Sequence, residues 1–109
     1  MENDTQLDAI FYALADRRRR ALLAELASGP KTVSQLAALL EMNISATSKH
    51  ISWFEQAQLL LKIRRGRELY CHVNFATWQH LANYIAMHAQ FWSGRLDELD
   101  TYLNQKGAH

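Results

Sequence analysis

Ser45, Ser48, Lys49 and Ser52 recur at steps of three, one and three, the spacing that aligns side chains on one face of a helix. Short hydroxyls and one ammonium group offer donors, acceptors and a positive charge, a chemistry suited to phosphate oxygens and base edges. Taken alone, the face reads equally well as the solvated side of a serine-rich helical hairpin. What tips the balance lies downstream, where Lys62, Arg64, Arg65 and Arg67 surround Gly66. Guanidinium groups at the tip of a turn can reach phosphate in two-pronged geometry. Four arginines in a row, Arg17 to Arg20, add a second basic cluster upstream.

Charge is segregated along the chain. Residues 17–67 carry ten Lys/Arg and three acids, a net of +7, whereas the rest carries two basic residues and eight acids, a net of −6. A basic middle between acidic ends fits a polyanion-binding module beside a neutral or acidic partner surface. At 109 residues and 49% hydrophobic content the chain is read as one domain, residues 1–109, with enough apolar material for a core. Much of that material falls in the last third, which points to burial against a second copy. No apolar run approaches the roughly 18–20 residues of a membrane span, the start is polar and acidic, and the lone Cys71 has no internal disulfide partner. A soluble cytoplasmic protein is expected.

The elements that would position these groups follow from periodicity. Leu7, Ile10, Phe11 and Leu14 predict a helix over about 4–15 with Asp4 as N-cap. Asp16 opens a second helix to about Ala27, striped by Ala21, Leu22, Leu23 and Leu26 and stopped by Ser28, Gly29 and Pro30. A short helix over 32–40 turns Val33, Leu36, Ala37 and Leu40 inward. After a break at Glu41, Met42 and Asn43, Asn43 or Ser45 opens a helix to about Gln56, with Thr47, Ile51 and Phe54 inward. Strands are predicted over 59–64 and 68–73, joined by a turn at Arg65, Gly66 and Arg67. A long helix covers about 76–105, and the tail from Lys106 should fray.

This order, mainly helical with one small β-hairpin (α-α-α-α-β-β-α), is that of a winged helix-turn-helix: the motif over about 32–56, the wing over about 59–73. Ala37 is small enough for the two helices of the motif to approach, and Leu40, Met42 and Ile51 join them. A major groove about 12 Å wide admits the second helix, and the hairpin tip reaches the flanking backbone. Double-stranded DNA is the expected partner. The contact set is Ser45, Thr47, Ser48, Lys49, His50 and Ser52 on the helix, Arg64, Arg65 and Arg67 on the wing, and Arg17 and Arg18 upstream; Thr47 also belongs to the inward row.

The segments 13–23 (Ala-Leu-Ala-Asp-Arg-Arg-Arg-Arg-Ala-Leu-Leu), 32–37 (Thr-Val-Ser-Gln-Leu-Ala), 47–51 (Thr-Ser-Lys-His-Ile) and 66–70 (Gly-Arg-Glu-Leu-Tyr) resemble the ArsR/SmtB family of winged-helix repressors. Four separated motifs agree in order over nearly the whole chain. The resemblance implies a homodimer joined by the first and last helices and bound to an inverted repeat over a promoter. It also carries departures. Arg17 and Arg18 stand where the family commonly has Pro-Thr, placing positive charge at a helix start against its dipole. Glu41 stands where the turn usually has Gly, and Thr47 where a β-branched apolar residue is usual.

Metal-sensing members of that family carry Cys-Val-Cys in the first helix of the motif, or carboxylate and histidine ligands on the last helix. Thr32, Val33 and Ser34 occupy the first place, and neither hydroxyl supplies the thiolate a soft metal needs. His80 and His88 lie eight residues apart on the last helix, too far to share an ion within one chain. No metal, cofactor or catalytic group is therefore expected. An enzyme reading finds no phosphate loop, nucleophile arrangement or carboxylate pair.

The dimer seam is expected along Trp78, Leu81, Ile85, His88, Trp92, Leu96 and Leu99 of the last helix, continuing to Leu103, with Leu7, Ile10 and Phe11 from the first. His88 reads as a hydrogen-bonded interface histidine or, more sharply, a pH switch. Cys71 reads as a small apolar strand residue. The function expected is a DNA-binding repressor that does not respond to metal. A protein–protein winged-helix module, and a repressor sensing a ligand, pH or thiol oxidation, are the alternatives, and an unidentified small-molecule effector stays open as a partner.

Overall fold

The computed structural model describes residues 2–107. Its elements in chain order are α1 (Glu2–Leu14), α2 (Arg17–Leu26), β1 (Lys31–Thr32), α3 (Val33–Leu39), α4 (Ile44–Gln56), β2 (Leu60–Arg65), β3 (Glu68–Val73) and α5 (Phe75–Gly107). They match the predicted order with one addition, the two-residue strand β1. It pairs antiparallel with β3, Lys31 opposite Cys71 and Thr32 opposite Tyr70, so the hairpin is part of a three-stranded sheet of order β1-β3-β2. A two-residue strand next to Pro30 is too short to show alternation, which is why the sequence did not display it. The last helix runs through Lys106, where fraying was expected, and residues 108 and 109 of that tail lie outside the described residues.

Contacts divide the chain into two compact units, one ending at Thr77 and one beginning at Trp78. In the first, Ile10, Leu22, Leu36, Ile51, Phe54, Leu59, Leu60 and Cys71 are fully buried. The helix α4 packs on α3, α1 and β2 and is the hub of this core. At about 25 cal/mol per Å² of apolar surface removed from water, such a cluster is the main force holding the unit together. The second unit consists of α5 from Trp78 onward. Among its residues Leu81 is buried, whereas Ile85, Met87, Phe91, Trp92, Leu96, Leu99, Tyr102 and Leu103 are exposed.

Helix boundaries follow side-chain chemistry. Asp16 caps α2, its carboxylate accepting from the N–H groups of Arg18 (2.7 Å) and Arg19 (3.2 Å). These bonds, with that to Arg19 the largest influence, hold the Asp16 carboxyl below its ordinary pKa. Thr32 opens α3 with a capping box: its hydroxyl accepts from Gln35 N (3.1 Å), and the Gln35 side chain accepts from Thr32 N (2.9 Å). Asn43, not Ser45, caps α4 through Ala46 N (2.6 Å).

Both helices of the central pair end in the same way. Met42 N donates to Ala37 O (2.9 Å) and Glu41 N to Ala38 O (3.3 Å) after α3; Leu59 N donates to Phe54 O (2.9 Å) and Gln58 N to Glu55 O (3.0 Å) after α4. This double bond pattern is the Schellman motif, whose turning residue adopts left-handed backbone and is usually glycine. Here those residues are Glu41 (φ 53°) and Gln58 (φ 60°). The turn that glycine would make easily is therefore kept by two residues with a Cβ, at a conformational cost. Left-handed backbone costs an L-residue roughly 1–2 kcal/mol, against about 0.5–1 kcal/mol for the extra chain entropy of glycine. Glu41→Gly is expected to stabilise the fold by about 0.5–1 kcal/mol, the balance of those two effects. Urea unfolding followed by circular dichroism checks this; a lowered midpoint would contradict it.

Candidate nucleic-acid interface

The exposed side of α4 is defined by what its other side buries. Thr47, Ile51 and Phe54 are wholly enclosed, so residues offset from that row must face outward. Ser45, Ser48 and Lys49 are exposed, and Ser52 is half-buried with its hydroxyl donating to Lys49 O (2.6 Å). Thr47, counted among the contact residues from sequence, has no surface to offer: it is 0% exposed and its hydroxyl donates to Asn43 O at 2.9 Å. A hydroxyl turned back onto the preceding turn lets threonine occupy an apolar site. His50 is half-buried, and its Nδ1 is shielded from solvent without a hydrogen-bond partner.

Sequence reasoning missed Ile44. It is the first residue of α4 and 58% exposed, adjoining Ser45 and one turn from Ser48. An apolar residue off the inward row at a helix start was the available signal.

The wing carries its cations at the tip. Arg65 pairs with Glu68, leaving Gly66 and Arg67 as the two-residue loop, one residue shorter than predicted. Gly66 has φ 64°, a left-handed conformation that a tight hairpin requires at this position. Arg64, Arg65 and Arg67 are exposed. Lys62, grouped with them in the sequence, is instead engaged: its Nζ lies 3.2 Å from Glu55 Oε1 of α4. That pair ties the base of the wing to the helix.

The four arginines separate into two roles. Arg19 is buried, donating from Nε to Ala13 O (2.8 Å) and from Nη2 to Tyr12 O (2.9 Å), with its guanidinium 5.1 Å from the Tyr12 ring centre. Arg20 donates from Nη1 to Leu14 O (2.8 Å). The last carbonyls of α1 have no partner within their helix and carry the negative end of its dipole. Two arginines of α2 thus satisfy the end of α1, which accounts for a basic run that looked unfavourable at the start of α2. Arg17 and Arg18 stay exposed. Arg18 lines a cleft with Ala21, Leu40, Met42, Asn43 and Ala46, beside the turn and the start of α4.

Other candidate groups are placed less suggestively. Burial pushes the Cys71 thiol above its ordinary pKa, with the Lys62 charge opposing. The thiolate needed for oxidation chemistry is thereby disfavoured. Thr32, at the place where the resemblance puts a thiolate ligand, is used by the capping box. Among the described residues, no three His, Cys, Asp or Glu side chains gather as a metal site. No described helix is long and apolar enough to cross a membrane. His88 is exposed and its ring centre lies 4.5 Å from that of Tyr84. Of the residues expected at a dimer seam, Leu7, Ile10 and Leu81 are taken up within the chain's own interior and leave almost no surface for a second copy. Trp78 is half-buried, and Phe11, Ile85, His88, Trp92, Leu96 and Leu99 are exposed.

A helix presented from a tight helical pair beside an arginine-tipped hairpin is the DNA-binding arrangement of a winged helix-turn-helix. Comparison with known proteins agrees. Residues 16–62 match the family described as bacterial regulatory protein, arsR family. A crystal structure of an ArsR family transcriptional regulator is 34% identical, covers 81% of this chain and 97% of its own, and superposes with a TM-score of 0.71. An ArsR-like transcriptional regulator from Rhodococcus sp. RHA1 is 25% identical, covers 91% of this chain and 93% of its own, and gives 0.79. The transcriptional repressor SdpR of Bacillus subtilis is 25% identical over 79 residues, which are 72% of this chain and 88% of that protein. The chain belongs to the ArsR family of bacterial transcriptional regulators.

The division of the arginines is open to test. Arg19→Met removes two charged hydrogen bonds to buried or half-buried carbonyls and is expected to destabilise by about 2–4 kcal/mol, whereas Arg17→Ala should stay within about 0.5 kcal/mol of the parent. Thermal and urea unfolding of both variants checks the contrast, and equal losses would contradict it.

Proposed function

We propose that this chain is a repressor that binds an inverted-repeat operator as a homodimer and is not controlled by metal. The observation that carries this reading is the exposure of Ser45, Ser48 and Lys49 on a helix whose opposite side fills the core, beside an arginine-tipped wing. In this reading Lys49 donates to guanine O6 or N7, and the serines are short enough for the helix to sit deep in the groove. Ile44 supplies an apolar contact for a thymine methyl group. Arg64, Arg65 and Arg67 neutralise phosphates flanking the site, with Arg17 and Arg18 contributing from α2. His50 and Ser52 lie at the margin, serving packing or phosphate contact.

Similarity to a transcriptional repressor supports repression as the outcome. The exposed apolar row of α5 and Phe11 of α1 supports a second copy, since together they present more apolar surface than a monomer usually leaves in water. A site in the cytoplasm, where the DNA is, follows from this role. The capping use of Thr32 and the burial of Cys71, which disfavours its thiolate, support independence from soft metals; an unidentified small-molecule effector is compatible with the same surfaces.

The test starts from duplexes selected from a random pool and compares the selected site with a scrambled one. Lys49→Ala should cost about 1–3 kcal/mol at the selected site, the range for one good base contact, and much less on scrambled DNA. If Ser48→Ala and Lys49→Ala both leave the ratio unchanged while the fold is intact, α4 is not the reading helix.

A further inference from the structure

The sheet order places β2 at an edge, with β3 beside it. Its place over α4 therefore depends on the side chains it turns toward that helix. The first is Leu60, 2% exposed; the second is Lys62, opposite the fully buried Cys71 of β3. The Lys62 and Glu55 side chains are 26% and 37% exposed, with Nζ and Oε1 3.2 Å apart. Past them, residues 63–69 are all exposed. Lys62 is thus the outermost residue by which β2 is fixed to the helix. Gly66 stands about 13 Å beyond it, at roughly 3.3 Å per strand residue. A tilt of about 10° over that distance moves the tip by ~2 Å, more than a hydrogen bond to phosphate tolerates.

Glu55 is placed to transmit the position of α4. Ile44, Ser48 and Glu55 follow at steps of four and seven, one row along the helix. Thr47, Ile51 and Phe54, enclosed in the core, fix the rotation of that row. We infer that Glu55 and Lys62 are positioning residues for DNA recognition: their ion pair sets the tilt of the wing over α4, so that the wing arginines reach phosphate while Ser48 and Lys49 meet base edges. This rests on the reading of α4 and the wing as one DNA-binding surface and assigns the part that joins them. Neither residue needs to touch DNA. An ion pair this exposed adds little to stability. Direction is what it supplies, since one charge is carried on a helix and the other on a paired strand.

The sign of one substitution separates this role from a plain charge effect. Glu55 is an acid beside a surface that binds a polyanion. By charge alone, deleting it reduces repulsion and should tighten binding to every duplex. As a positioning residue its loss has the opposite effect: the wing is freed, and the site that needs helix and wing together is weakened most. Lys62 offers no such separation, because removing a cation weakens binding on either account.

Titrations of the full-length chain with a selected duplex and a scrambled one test this, each variant checked for folding by circular dichroism. Glu55→Ala should bind the selected site about three- to tenfold more weakly, within the range for coupled neighbours, and scrambled DNA no more weakly than the parent. The exchange variant Glu55→Lys/Lys62→Glu restores an ion pair at unchanged net charge and should return the selected-to-scrambled ratio toward that of the parent. If Glu55→Ala does not fold, Glu55→Gln, which keeps the side-chain length and removes the charge, takes its place with the same expectation. Unchanged or tighter binding of the selected site by the folded Glu55 variant overturns the inference. So does a folded exchange variant whose ratio stays at the Glu55→Ala value. If Lys49→Ala and Arg65→Ala/Arg67→Ala both leave binding of the selected site unchanged, the reading of α4 and the wing as one surface fails instead.

Discussion

The left-handed backbone at Glu41 is the constraint on which the DNA-binding arrangement turns. It ends α3 after Leu39 and redirects the chain so that Asn43 can cap α4 within four residues. The sharp turn brings α4 against α3, with Ala37 and Leu36 buried on one side and Thr47 and Ile51 on the other. Once that packing is set, the periodicity of a helix leaves Ser45, Ser48 and Lys49 no choice but the outer face. The same device at Gln58 ends α4 and leads into β2, so one local geometry used twice fixes both parts of the candidate interface.

Around this pair, polar side chains serve as fasteners, which explains why residue type alone misassigned some of them. Arg19 and Arg20 satisfy carbonyls at the end of α1, Lys62 holds Glu55, and Thr47 bonds to its own helix. Arg20 is exposed but engaged with Leu14 O, so the cations that are exposed and not used as such fasteners are a narrower set than the +7 of the basic segment implies: Arg17 and Arg18, Lys49, and the three arginines of the wing. Separating fastening cations from exposed ones changes the account of binding. Only charges free to move onto a phosphate can release counterions from DNA.

Much of the fold was legible because its signals are local. Apolar spacing located every helix, Asp16 marked a cap, and Gly66 marked the hairpin tip. The strand β1 was not legible, since two residues carry no period and their pairing with β3 is a long-range event. The turn at Glu41 was legible as a turn but not in its geometry, because a glutamate there conceals the backbone that glycine would have announced. Within the interface, the face of α4 could be read from spacing, whereas the burial of Thr47 and Arg19 depends on what other elements place against them. Ile44 escaped for the opposite reason: an apolar residue is assumed to turn inward, and this one does not.

The central claim is that α4 and the wing tip form one DNA-binding surface. Chemical-shift mapping of the labelled protein with a selected duplex tests it most directly. The account predicts the largest backbone amide changes at Ser45, Ser48 and Lys49 and at Gly66 and Arg67, with small changes at Ser34 and Ala38 of α3 and at Thr101 of α5. Changes concentrated on α3 or α5, with α4 and Gly66 unmoved, would contradict it.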